Sequence, residues 1–77
     1  MILIELQLHG DLKKHCNDLS NLEMTIERGC TVRQLIGMSG VPAEEIAFAA
    51  VNGSRVPVDH VIEDGDRVKL FQFVAGG

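Results

Sequence analysis

Ile2-Leu3-Ile4-Glu5-Leu6-Gln7-Leu8 places Ile2, Ile4, Leu6 and Leu8 on one face and Leu3, Glu5 and Gln7, followed by His9, on the other. A period of two is that of a β-strand with one face buried. A sheet with one apolar face needs a covering layer, and the chain offers one short helix for it. Thr31-Val32-Arg33-Gln34 has the form of a capping box, in which a Thr hydroxyl and a Gln three residues on satisfy two orphan backbone donors reciprocally. Val32, Leu35 and Ile36 then give an apolar stripe, Gly37 weakens the second half, and Gly40 is placed to stop the helix. About two turns of helix do not stand alone in water, so this one is expected to lie on the sheet.

Between these two segments, Gly10-Asp11 through Asn17-Asp18 reads as a polar connection with Leu12 returning to the core. A second strand comes next, with Leu22, Met24 and Ile26 pointing in, Glu23, Thr25 and Glu27 pointing out, and Gly29 ending it. Beyond the helix, Val41-Pro42-Ala43-Glu44-Glu45 reads as a turn or one short helical turn, with Pro42 tolerated near its start. Ile46 to Val51 reads as a third strand. Phe48 is expected in the core, although both parities of 47–51 are apolar and its side stays open. Asn52-Gly53 is the pair preferred where a tight turn needs positive φ, and Val56-Pro57-Val58 suits only a sheet edge. Glu63-Asp64-Gly65-Asp66 is a turn signal before the last strand, 67–73, in which Val68 and Leu70 share one face and Lys69, Phe71 and Phe73 the other. Strand, strand, helix, strand, short edge strand, strand is the order of an α+β chain of the β-grasp (ubiquitin-like) type. A mixed four- to five-stranded sheet would pack against one main helix, with the first and last strands parallel neighbours in the middle. The grasp topology is in part an analogy.

The 77 residues suffice for one domain, 1–77, and the mostly aliphatic composition, with three Phe and neither Trp nor Tyr, sets the character of its core. The net charge of −4 carries its acidic excess in the second half, a field that disfavours nucleic acid and anionic membranes and draws a protein partner with a basic face. The apolar start is broken by Glu5 and has no basic lead-in, so a strand is expected there rather than a signal, and no apolar run approaches the roughly 20 residues of a membrane span. Cys16 and Cys30 read as two free thiols in a cytoplasmic protein. His9, His15 and His60 are scattered and read as surface residues, the acids of 63–66 lack the spacing of a calcium loop, and no metal site is expected. A self-contained enzyme is not expected.

Phe73-Val74-Ala75-Gly76-Gly77 closes the sequence. Terminal glycines are often no more than a frayed end. Here they come directly after a strand, and the last of them offers a carboxylate. A carboxylate is a poor electrophile until it is activated, for example as an acyl-adenylate, and an active site that admits a backbone end-on favours residues without Cβ. A flexible tail at 74–77, extended from Gln72, reaches about 20 Å, enough for the body to dock outside while the end enters a partner's pocket. Phe71 and Phe73, with Leu3 from the first strand, then form the expected docking surface on the open face.

Val51-Asn52-Gly53, Val58 and Asp59, Ile62-Glu63-Asp64-Gly65-Asp66-Arg67-Val68 and the terminal Gly76-Gly77 resemble the MoaD/ThiS family of ubiquitin-like sulfur carriers over the whole length, closer to the small subunit of molybdopterin synthase than to the thiamine carrier. The resemblance implies a protein without intrinsic catalytic residues or bound cofactor. An E1-like enzyme would adenylate Gly77 with ATP and Mg, and a cysteine desulfurase or rhodanese-type donor would convert it to a thiocarboxylate. A large synthase subunit would accept the sulfur. By position Gly77 carries the sulfur, Gly76 and Ala75 thread the channel, and Phe71, Phe73 and Leu3 dock. Many members carry proline between the last strand and the tail, where this chain has Gln72-Phe73, so a less rigid exit is expected and the pathway stays open to tungsten cofactor or thiamine. The rival reading is a ubiquitin-like modifier conjugated through Gly77 to lysines.

Overall fold

The computed structural model describes residues 1–73; the tail expected at 74–77, with Ala75, Gly76 and Gly77, lies outside the described residues. Strand β1 (Ile2–Leu8) pairs antiparallel with β2 (Asn21–Ile26) in the register that sets Ile2, Ile4 and Leu6 against Ile26, Met24 and Leu22. Every second residue of both strands therefore meets the same layer, as their alternation requires. On its other side β1 runs parallel to β5 (Arg67–Gln72), aligning Leu6 with Val68 and Leu8 with Leu70. Strand β3 (Ile46–Val51) pairs antiparallel with β5 and with the short edge strand β4 (Ser54–Val56), completing the order β2-β1-β5-β3-β4. Pro57 falls just past the edge strand, where its missing N–H removes no ladder bond.

Helix α1 (Val32–Ser39) opens with both halves of the capping box, the Gln34 N–H donating to the Thr31 hydroxyl and the Thr31 N–H to the Gln34 side chain, and closes at Gly40 with φ 86°. Val32, Leu35 and Ile36 bury against the face formed by Ile2, Ile4, Leu6, Leu8, Val68 and Leu70, giving a sheet with one main helix on one side. The connection after β1 is more ordered than its polar sequence implies, because 10–16 forms a 3-10 helix that drops Leu12 into the core with no exposed surface. A second 3-10 turn (Ala43–Glu45) succeeds Pro42.

The two motifs that carry the family resemblance turn out to be joined to each other. Asn52 and Gly53 make the β3–β4 turn with φ of 52° and 88°. The Asn52 side chain donates to Asp66 Oδ1 at 2.9 Å and accepts the Arg67 N–H at 3.0 Å, while Asp66 Oδ2 accepts the Glu63 N–H at 2.9 Å. The 63–66 turn is tied to β1 as well, through Gly65 N–H to the Leu3 carbonyl and Leu3 N–H to Asp64 Oδ1. These residues anchor the start of β5 between its two neighbours, so they specify architecture.

Phe48 departs from expectation. A register irregularity between Ile46 and Phe48 turns the phenyl ring to the open face, opposite Phe71, while Ala49 and Val51 keep the core side. One extra residue in a strand inverts the parity of every later position.

Candidate functional site

The final strand is central in the sheet, and its C-terminal end emerges between the 3-10 helix after β1 and the 3-10 turn before β3. The Leu70 carbonyl accepts the His9 N–H at 2.9 Å, and the Phe73 N–H donates to the Glu45 carbonyl at 3.3 Å. The last described residue is therefore still held by the body. Phe73 itself is 62% exposed.

Beside this exit, the open face carries an aromatic column. Phe71 stacks on Phe48 with ring centroids 4.5 Å apart, and the His9 ring lies 5.0 Å from Phe71 on the other side. The Arg55 guanidinium sits 4.7 Å above the Phe48 ring, and Lys69 Nζ lies 5.7 Å from that of Phe71. Stacked rings and cations over ring faces are attractive through the ring quadrupole, so the column is pre-ordered across β1, β5, β3 and β4. Arg67 occupies the same face nearer the other end, with its Nε 3.1 Å from Glu5 Oε2. Three of the seven lysines and arginines thus lie on the open face, two of them over the aromatic column, although the chain as a whole is acidic. The acids of the second half sit mainly in turns, such as Glu63, Asp64 and Asp66, so the net charge does not reveal the local field.

Of the residues expected to dock a partner, Phe71 lies in the column and Phe73 at the exit. Leu3 is on the same face and 50% exposed, but it pairs with Thr25, while Phe71 lies past the level of Leu8. Six residues of strand separate the two levels, about 20 Å. The structure does not bring Leu3 to the others. Phe48, His9, Arg55 and Lys69 join the site without having been expected in it; cross-strand parity indicates Arg55 and Lys69 once the strand order is known.

No group of three or more His, Cys, Asp or Glu among the described residues could hold a metal ion, and no described helix is long and apolar enough to cross a membrane. Both cysteines are free. The Cys16 Sγ donates to the Ser39 carbonyl at 3.3 Å and the Cys30 Sγ to the Thr31 carbonyl at 3.4 Å. Burial pushes both thiols up, and the Glu27 carboxylate adds to the effect at Cys30. That is the opposite of what a nucleophilic or persulfide-carrying cysteine needs.

A mixed sheet with parallel central strands β1 and β5, clasping one helix on one side, defines the β-grasp ubiquitin-like class. Within it the chain belongs to the family described as Mut7-C ubiquitin, whose model matches residues 1–74. No curated protein matches the chain in sequence. Among solved structures it is similar to a Pyrococcus furiosus protein assigned as a candidate molybdopterin converting factor subunit 1, with 23% identity, a TM-score of 0.78, and coverage of 96% of this chain and 100% of that one. It is also similar to the small archaeal modifier protein 1 of Haloferax volcanii, at 19% identity and TM-score 0.75 over 96% of this chain and 100% of that one. A third likeness is to a Helicobacter pylori complex of molybdopterin-converting factor subunits 1 and 2, at 17% identity and TM-score 0.66 over 99% and 100% of the two chains. At these identities the likeness is one of fold.

Proposed function

We propose that the chain is a non-catalytic carrier of the ubiquitin-like sulfur-carrier and modifier class, activated at the carboxylate of Gly77. The observation that carries this reading is the placement of the exit: a central strand, buried on one face, brings the chain to Phe73 beside an ordered aromatic and cationic patch, and Gly76-Gly77 follow three residues later in the sequence. The body presents a docking face, and the last two residues, Gly76 and Gly77, have no side chain to exclude them from a narrow pocket. In this reading an E1-like partner uses ATP and Mg. The carboxylate attacks the α-phosphorus, pyrophosphate leaves, and the resulting acyl-adenylate loses AMP to a nucleophile. With a cysteine desulfurase or rhodanese-type donor, the terminal sulfur of its cysteine persulfide attacks the acyl carbon as AMP leaves. A second thiol then cleaves the resulting acyl disulfide, taking the donor cysteine into a disulfide and freeing a thiocarboxylate for a large synthase subunit of molybdopterin, tungsten-cofactor or thiamine synthesis. A lysine amine leads to an isopeptide. The solved relatives include a molybdopterin converting factor complex and an archaeal modifier, so the support lies with the activation step that both fates share.

The cations of the open face favour a partner whose apolar contact is rimmed by Asp and Glu, and not the basic partner suggested by the net charge. Intact-mass measurement of the protein isolated from its own cells tests the proposal. The expected result is a free Gly77 carboxylate exchanging one oxygen for sulfur, or heavier adducts that survive reducing agent and vanish on deletion of Gly77. Neither species, with function unaffected by the deletion, would overturn it.

A further inference from the structure

We propose that Gln72 is a positioning residue for the carrier's end, latching the last strand to the 3-10 helix after β1 and so fixing the direction in which the chain leaves the sheet at Phe73. The proposal rests on the reading of Gly77 as the activated group. Gln72 is the last residue of β5, paired with Ile46, and its side chain turns away from the aromatic column. Its Oε1 accepts the Asp11 N–H at 2.6 Å, a bond that spans 61 residues of sequence. The carboxamide lies flat on Gly10. A Cβ built at Gly10 would stand 2.5 Å from Gln72 Cδ and 2.8 Å from both its Oε1 and Nε2, and Gly10 has φ +69°. Residue 10 thus combines a backbone conformation that favours glycine with a seat that only glycine leaves open for this side chain.

A second tether acts one residue later and from the other side. The Phe73 N–H donates to the Glu45 carbonyl, and Glu45 Oε1 lies 3.0 Å from His15 Nε2. His15 belongs to the same 3-10 helix as Asp11. The exit is therefore gripped between two elements that are themselves bonded to each other. A glutamine at the end of a strand, its carboxamide seated on Gly10 and bonded to the Asp11 N–H, has this grip as its visible task. The sequence reading of a loose exit at Gln72-Phe73 misses it, because glutamine has no local conformational rule and its partner is remote.

Releasing one backbone residue costs a binding event about 5- to 30-fold, since that residue must be ordered again in the partner's pocket. Two measurements on the full chain separate the latch from the carrier reading. In ¹⁵N relaxation, Gln72→Ala is expected to lower the order parameter of the Phe73 amide from that of rigid backbone, about 0.85, toward the flexible range below about 0.6, with the rest of β5 unchanged. Gln72→Glu, which keeps an acceptor for Asp11, is expected to restore it. In ATP–pyrophosphate exchange with the adenylating enzyme of the same organism, Gln72→Ala is expected to raise KM for the carrier about 5- to 30-fold with kcat little changed, the signature of lost ordering rather than lost chemistry. An unchanged Phe73 amide in Gln72→Ala, or an unchanged KM, would overturn the latch. If the wild-type chain itself supports no exchange, the carrier reading fails and the relaxation measurement still decides the latch.

Discussion

Asn52 shows how much one side chain can specify. It accepts positive φ at the first position of the β3–β4 turn, and the same carboxamide holds Asp66 and the Arg67 N–H across the sheet. Asn52→Ala loses both bonds and strains the turn, and is expected to lower stability by about 1–3 kcal/mol in urea unfolding. Asn52→Gly, which relieves the strain alone, should recover part of that loss. The cysteines give a second prediction at this scale. Their thiols titrate higher in the folded chain than in the unfolded one, so between the two pKa values the folded state holds more protons. Stability is complete below the ordinary thiol range and falls as pH rises through it. Replacing both cysteines with serine should flatten that alkaline slope, and alkylation by iodoacetamide at neutral pH should be slow while the protein is folded.

Helix α1 is too short to stand in its own right. It is eight residues long and places Gly37 in its second turn, and a Cβ added there would meet nothing within 4 Å. Gly37→Ala should therefore stabilise the fold by about 0.5–1 kcal/mol, read as a higher urea midpoint at constant slope. The capping box and the Gly40 stop were legible from sequence because both are local devices with fixed spacing. The 3-10 helix at 10–16 was not. Its composition is polar and its one buried residue, Leu12, carries no period, so only the place left for it under the sheet defines it. The irregularity in β3 was hidden for a related reason: with both parities of 47–51 apolar, nothing in the strand says which face Phe48 takes.

Across the described residues, the sheet separates two surfaces of different chemistry. One face buries the aliphatic core under α1, and the other presents Phe48 and Phe71 among Arg55, Lys69 and His9. Reversing Lys69 to Glu is expected to lower the unfolding midpoint only modestly, by the equivalent of about 0.5–1 kcal/mol, because the partly buried ammonium loses its place over the Phe71 ring. The same change should slow association with an acid-rimmed partner severalfold at low salt, and the difference should shrink as salt screens it. Stopped-flow binding of the adenylating enzyme at two ionic strengths reads both effects.

The strands, the capped helix, the Asn52-Gly53 turn and the core positions of β1, α1 and β5 came from the sequence alone, because alternation, capping and turn chemistry act between residues a few positions apart. The face taken by Phe48, the cationic border around it, the distance between Leu3 and Phe71, and the Gln72–Asp11 latch were decided only by the tertiary structure. Each depends on which strands become neighbours and in what register, and residues 61 positions apart have no local energy through which a sequence could announce that they meet.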